Sequence, residues 1–293
     1  MIKEIAVASG KGGTGKTFIS SNLAYYIYRE LGEVVAVDAD VEAPDLILAL
    51  GGEKSRISVR NYYGAYRPVV DYSRCSRCWK CVDFCKFGAM SRGKEGPVID
   101  YSRCEGLGAC AVVCPSQAIS LKEAKTGVIY VAESAFGIKV VTGDLELGGG
   151  TSGRLVYELK KLARSFINSG YVIVDSAPGI GCPVISSISG ADLLVVVVEP
   201  TPQSIKGSRR LLEVADSLGV ESVCIINKHD INENLSAKIG DLLGIEVVGK
   251  IPYSRDVVES YSMMTPLLAT GSPLKPLLEN SFSRILSILK VVK

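Results

Sequence analysis

Short apolar runs alternate with helical patterns over residues 1–50 and again over 128–293. The run "IAVA" at 5–8 predicts a strand over about Glu4–Ser9, and Lys16–Leu31 after it carries a helical pattern. "VVAV" at 34–37, "YVIV" at 171–174, "LLVVVV" at 193–198 and "CII" at 224–226 predict further strands. Runs without polar alternation belong in a sheet covered on both faces, so the pattern implies an α/β fold with a mostly parallel sheet and helices on both faces. At the C-terminus Phe282, Ile285, Leu286 and Leu289 recur at helical spacing, with Arg284 and Lys290 among them. Packing of this helix on the sheet is expected, and membrane contact is not. No apolar run reaches the roughly 18 residues that a spanning helix needs. The alternation breaks where cysteines crowd the chain. This predicts a first part at 1–58, an inserted domain at 59–126 and a second part at 127–293, with linkers near "GGEKSR" (51–56) and "EAKTG" (123–127).

The first strand ends in "GKGGTGKT" (10–17), which satisfies the phosphate-loop pattern G-x4-G-K-[ST] between a strand and a helix. Gly10, Gly12, Gly13 and Gly15, with Lys11 and Thr14 between them, let backbone N–H groups curl round phosphates at a helix N-terminus. Lys16 is placed to reach the β- and γ-phosphates, and the Thr17 hydroxyl to bind Mg²⁺. A P-loop nucleoside triphosphatase fold follows.

The cysteines form an internal repeat. A shift of 29 residues lays "VVDYSRCSRCWKCVDFCKFGAMS" (69–91) on "VIDYSRCEGLGACAVVCPSQAIS" (98–120) without a gap. The first copy reads Cys-x2-Cys-x2-Cys-x3-Cys, the spacing that holds three corners of one cubane cluster and sends the fourth thiolate to its neighbour. Crossed wiring gives site one Cys75, Cys78, Cys81 and Cys114. Site two receives Cys85, Cys104 and Cys110, with Leu107 where Cys78 stands in the first copy. A carbon side chain cannot ligate iron. Site two is left with a [3Fe-4S] cluster, a [4Fe-4S] cluster with one corner on water or another ligand, or nothing; site one is expected to hold a [4Fe-4S] cluster. Zinc and disulfides are the alternatives, but zinc does not account for the tandem spacing or for Pro115 after Cys114. The segment resembles the two-cluster, bacterial-type ferredoxins, a small α+β domain.

Around it the chain resembles the deviant phosphate-loop ATPases, the MinD/ParA-like family, whose loop reads K-G-G-x-G-K-T. It is similar above all to MinD-superfamily members with an inserted ferredoxin domain. The resemblance implies that Lys11 reaches across an ATP-dependent homodimer to the partner's nucleotide. It implies that Asp38 orients the attacking water in the switch segment that also holds Asp40, and that Asp175 orients Mg²⁺ through water. Asn227 would then read the purine edge. Asn227–Asp230 also fits N-K-x-D, a guanine-reading signature, so ATP is the expected nucleotide and GTP the alternative. Cys182 lies seven residues after Asp175; a buried structural thiol is expected there, with a shared metal site as the alternative, and Cys224 is expected in the core.

Composition narrows the partners. The chain has 293 residues, 47% hydrophobic and 22% charged, with net charge +2. That is a globular balance with no broad electrostatic grip for nucleic acid. The single histidine, His229, argues against a His-centred triad. The N-terminus lacks the apolar stretch of a signal peptide, so a cytoplasmic setting is expected. The leading reading is a slow, dimeric ATPase that gates electron transfer to a redox partner. An iron–sulfur carrier of the Mrp type, delivering to an apo-protein, is the first alternative, and a positioning ATPase the second.

Overall fold

Strands that are apolar on both faces are satisfied only inside a covered sheet, and the chain places them there. The computed structural model describes residues 1–146 and 150–291; residues 147–149 and 292–293 of the sequence lie outside the description. Two compact units emerge. One comprises Met1–Val59, Ile129–Asp144 and Gly153–Lys293, the other Arg60–Val128 and Leu145–Ser152.

The chain opens with β1 (Ile2–Ala8), α1 (Lys16–Leu31), β2 (Val34–Ala39), α2 (Leu46–Ala49) and β3 (Glu53–Tyr62). Next come β4 (Ala65–Val70), α3 (Lys80–Phe84), β5 (Met90–Arg92), β6 (Pro97–Ile99), α4 (Ala109–Val112) and β7 (Ile119–Ala124). Then follow β8 (Gly127–Ser134), β9 (Lys139–Leu145), α5 (Ser152–Arg164), β10 (Gly170–Ser176), α6 (Cys182–Ile188) and β11 (Leu193–Val198). α7 (Pro202–Ser217), β12 (Ser222–Asn227), α8 (Glu233–Ser236), α9 (Ile239–Leu243), β13 (Glu246–Ile251), α10 (Arg255–Ser262) and α11 (Lys275–Val291) complete it.

The first unit is built on a sheet of order β13-β12-β11-β1-β10-β2-β9-β8-β3. Every pairing from β13 to β9 is parallel. β1 lies between β10 and β11, so the loop after it opens at a topological switch point, where open α/β sheets bind ligands. Register sets Asp175 of β10 opposite Asp38 of β2. Phe282, Ile285, Leu286 and Leu289 of α11 are buried in the main core, as the helical stripe predicts. No helix among the described residues is long and apolar enough to cross a membrane.

The expected linkers are strands instead. Residues 53–56 open β3, and 123–124 end β7. β3 is an edge strand whose residues are exposed until Tyr62, so its alternation carries no apolar signal, and its charges suit an unpaired edge.

In the second unit β4 pairs antiparallel with β7, and β5 with β6. The two cysteine copies are geometric twins at the 29-residue shift. Asp71 accepts from the Ser73 backbone N–H at 3.0 Å and its hydroxyl at 2.6 Å; Asp100 accepts from Ser102 at the same two distances. The Tyr72 hydroxyl donates to the Pro97 carbonyl at 3.1 Å, and the Tyr101 hydroxyl to the Pro68 carbonyl at 3.0 Å. The Asp71 N–H donates to Ala118 and the Asp100 N–H to Ala89, so each half closes on the other. Among the described residues, Cys81, Met90 and Ile119 form a small buried apolar cluster in this unit, with partly buried neighbours that include Cys85, Cys110 and Cys114.

Candidate functional site

The phosphate loop leaves β1 at Ser9 and enters α1 at Lys16. Gly13 and Gly15 have φ of 78° and 92°, where glycine is favoured. Gly10 serves another need: a Cβ there would lie 2.0 Å from the Gly207 carbonyl carbon of α7, so two backbones meet where no side chain fits. Lys16 is buried at the start of α1. A glycine-rich turn, a lysine and a helix N-terminus thus follow one another, the elements from which polyphosphate sites are built.

Two carboxylates lie beside it. Asp175 is buried, accepts from the Ser20 hydroxyl at 2.8 Å, and is pushed up to about 7 by burial, against hydrogen bonds from Thr17 and Ser20. Asp38 accepts from the backbone N–H of Leu46 at 2.8 Å and of Asp40 at 3.2 Å. Burial, and then the charge of Asp175, push it well up. Asp40 is half-buried near Lys16 and is raised by burial. The sequence reading missed Asp45 and Tyr261. Asp45, raised by burial, shares the Thr17 hydroxyl with Asp175. Tyr261 of α10 brings its phenol to the same hydroxyl and is raised by burial and by Asp45. Asp45 closes "VEAPD" (41–45) but looks there like any residue before a short helix. Tyr261 lies far along the chain and has no local signal.

A third cluster ties the loop to β11 and β12. The Asn227 amide donates to the Thr14 carbonyl at 2.8 Å, while its oxygen accepts from the Lys228 N–H. Lys228 Nζ donates to the Gly13 carbonyl at 3.1 Å and to Glu199 at 2.5 Å. Glu199 also pairs with Lys11 at 3.0 Å. Burial works to raise Glu199, but Lys228 and Lys11 outweigh it and hold it low. Lys11 therefore has a partner in its own subunit, which the sequence reading did not foresee. Asp230 accepts from the Tyr253 N–H at 2.7 Å through one of its two carboxylate oxygens.

The cysteines collect round two cavities. Cys75, Cys78, Cys81 and Cys114 line one, with Arg77, Trp79 and Ser116. Cys85, Cys104 and Cys110 line the other, with Leu107, Phe84 and Phe87. Leu107 is 74% exposed. Cys110 is raised by burial and by Cys104 and Cys85, and Cys81 by burial and by Cys110 and Cys114. Sγ of Cys114 accepts from the Ala118 N–H at 3.3 Å. All nine cysteines are free thiols. Cys182 corrects the sequence reading: it is exposed, because it begins α6 directly after a loop and its side chain precedes the first turn. Cys224 is in the core, where burial pushes its thiol up to about 12. Among the described residues no three of His, Cys, Asp and Glu converge as ligands of a single ion.

Comparison with known proteins agrees with the first unit's fold. A family model, the CobQ/CobB/MinD/ParA nucleotide binding domain, matches residues 5–267. An uncharacterized protein of Methanocaldococcus jannaschii is 37% identical over 232 residues, covering 79% of this chain and 80% of its own. An iron–sulfur cluster carrier protein of Pyrococcus abyssi is 21% identical over 283 residues, covering 92% of this chain and 80% of its own. The septum site-determining protein MinD of Pyrococcus horikoshii, complexed with Mg-ADP, superposes with a TM-score of 0.63 at 14% identity, over 100% of this chain and 99% of that one, a likeness of fold. With a phosphate loop at the switch point of a parallel sheet and two acids beside it, the chain belongs to the CobQ/CobB/MinD/ParA nucleotide-binding family.

Proposed function

We propose that the protein is a slowly hydrolysing, ATP-dependent dimeric switch whose second unit holds two iron–sulfur clusters, so that nucleotide state governs electron transfer. One observation carries the second half of this reading: seven cysteines fall into two sets round two cavities, in the crossed arrangement of the repeat. The donor chemistry fits. Thiolates round a cubane ligate different irons, so they need not converge on one ion. Site one offers four thiols and site two offers three, with the exposed Leu107 also lining the second cavity. Such groups supply one-electron storage. Small units gain from a staple, and a bound cluster beside the apolar group of Cys81, Met90 and Ile119 would be one.

The nucleotide half rests on the first unit. Gly10–Thr17 cradle the phosphates, and Lys16 neutralises them. Thr17 would hold Mg²⁺ and Asp175 would orient it; Mg²⁺ keeps several waters, so no three-carboxylate cage is required. Asp38 orients the attacking water. Lys11 leaves Glu199 when a second subunit arrives and turns to that subunit's phosphate. Asn227, held by the loop, and the remaining oxygen of Asp230 face the base, and ATP is the nucleotide. A coupling free energy of about 1–3 kcal/mol is ordinary. For a one-electron couple it corresponds to roughly 40–130 mV, enough to change which partner accepts the electron.

An iron–sulfur carrier is the second reading, supported by the Pyrococcus abyssi relative and by the exposed Cys182. The positioning reading loses its motive, because the apolar stripe of α11 is spent in the core. Free thiols suit a reducing, cytoplasmic setting. Anaerobic purification tests the proposal: iron and sulfide per chain, then reduction potentials with and without Mg-ATP. Two clusters with a nucleotide-dependent potential are expected. Transfer of the clusters to an apo-acceptor at unchanged potential would favour the carrier, and a preparation without iron would end both.

A further inference from the structure

Three positions in each cysteine copy have left-handed backbone, and the 29-residue shift pairs them. Arg77 (φ 55°) matches Gly106 (69°), Trp79 (61°) matches Gly108 (78°), and Gln117 (46°) matches Gly88 (58°). In the loop of the second copy glycine makes the turns, as this conformation favours. In the first copy an arginine and a tryptophan make them, and for bulky residues φ above zero is an outlier. The second copy follows the same path with glycine, so the path does not require these side chains. Strain retained where glycine would relieve it marks a side chain needed at that place.

The place is the mouth of the first cysteine cavity, which Arg77, Cys78 and Trp79 line. Arg77, Cys78 and Lys80 are exposed and Trp79 is half-buried. The Arg92 guanidinium lies 5.7 Å from the centre of the Trp79 ring and pairs with Asp83 at 3.4 Å. Arg77, Lys80 and Arg92 against one aspartate leave the rim positive. The second cavity differs: Gly106 and Ala109 stand where Arg77 and Lys80 do, and its one lining lysine, Lys86, is offset by Glu105.

We infer that the rim of the first cavity is a docking surface for an acidic protein, with Trp79 as the apolar anchor and Arg77 and Lys80 as the complementary charges. Tryptophan and arginine dominate the energetics of protein interfaces, and opposite charge sets encounter rate and orientation. Three cations, Arg77, Lys80 and Arg92, are few for the phosphate ladder of a nucleic acid. The adjoining helix α3 has five residues, too short to lie in a lipid surface. That the partner exchanges electrons rests on the cluster reading; the docking does not.

The test titrates the full-length, anaerobically purified protein into dye-labelled flavodoxin, a small acidic electron carrier, and follows anisotropy at several salt concentrations. Arg77→Gly with Lys80→Ala should weaken binding at least tenfold and flatten its salt dependence, and Trp79→Gly should weaken it as much. Lys122→Ala, on β7, should leave it unchanged. Arg77→Gly should keep iron, sulfide, ATP hydrolysis and melting temperature at or above wild-type values, because glycine suits the turn. Flavodoxin binding that is absent, or unaltered in the variants, would overturn the inference. So would a lower melting temperature in Arg77→Gly, which would make the arginine structural, or binding of DNA or phosphatidylglycerol vesicles in place of flavodoxin through the same residues. Wild-type protein that binds flavodoxin yet contains no iron would uphold the docking and overturn the cluster reading.

Discussion

Replacing Asp175 by asparagine should stabilise the nucleotide-free protein at alkaline pH, although it removes a residue that the proposed chemistry needs. Asp175 is buried beside Asp38, and its carboxyl rises from an ordinary 3.8 to about 7. An acid whose folded pKa lies above its unfolded one keeps a proton in the native state that the unfolded chain has lost. Stability therefore falls as pH rises from about 4 to about 7, and stays lower above that. At about 1.4 kcal/mol per unit, roughly three units give a penalty of about 4 kcal/mol as an upper bound. Ser20 and Thr17 offset part of the burial, and Asp38, raised in turn by Asp175, is relieved by the same change. Asparagine keeps the shape and can still accept from Ser20. A gain of about 1–4 kcal/mol at pH 8 is expected, several degrees in melting temperature for a chain of this size, shrinking to nothing near pH 4. Calorimetric scans from pH 5 to 8.5 would measure it. Mg-ATP should reverse the order, because the cation relieves the wild-type carboxylates and finds a weaker site in the variant. Parallel pH profiles for the two proteins, or a variant less stable at pH 8, would refute the argument that these acids are held under strain for a cation.

Lys16→Ala should weaken ATP binding by about a hundredfold, the worth of a charged hydrogen bond; equilibrium dialysis measures it, and an unchanged Kd would remove Lys16 from the phosphate site. Glu199→Gln should ease ATP-dependent dimerisation by releasing Lys11, while Lys11→Ala should abolish it; light scattering with a non-hydrolysable analogue reads both, and a dimer indifferent to either change would sink the role in trans. In competition ATP should exceed GTP, since one oxygen of Asp230 is already bonded to Tyr253; preference for GTP would return the N-K-x-D reading. Leu107→Cys should turn a three-iron resonance into a stable four-iron cluster, and identical spectra before and after would mean that position 107 does not face a cluster.

Features set by local spacing were legible in the sequence, and features set by meeting across the fold were not. The phosphate loop, the buried strands and the grouping of cysteines follow from spacing and periodicity. β3 was invisible because an exposed edge strand has no apolar face to alternate. Glu199, Lys228, Asp45 and Tyr261 reach the site from four separate segments, and a charge at the end of a strand or within a helix announces no partner. Cys182 was misjudged for a related reason: a cysteine is usually buried, and only the start of α6 turns this one outward.

Arg77 and Trp79 occupy a middle case. Nothing in "SRCSRCWKC" marks its backbone as left-handed. Set against "SRCEGLGAC", however, the two positions fall on glycines. Glycine in one copy of a repeat reports a conformation that the other copy shares where the two loops follow the same backbone path, as these do. A bulky residue opposite such a glycine is therefore a sign of strain that the amino-acid sequence itself carries. In an internal repeat the departures hold information of this kind. On the cluster reading, Leu107 opposite Cys78 leaves out one ligand, and Arg77 and Trp79 opposite glycines report side chains held at a conformational cost. All three lie at the rims of the two cysteine cavities, so the copies have diverged where they face outward and agreed where they hold each other together.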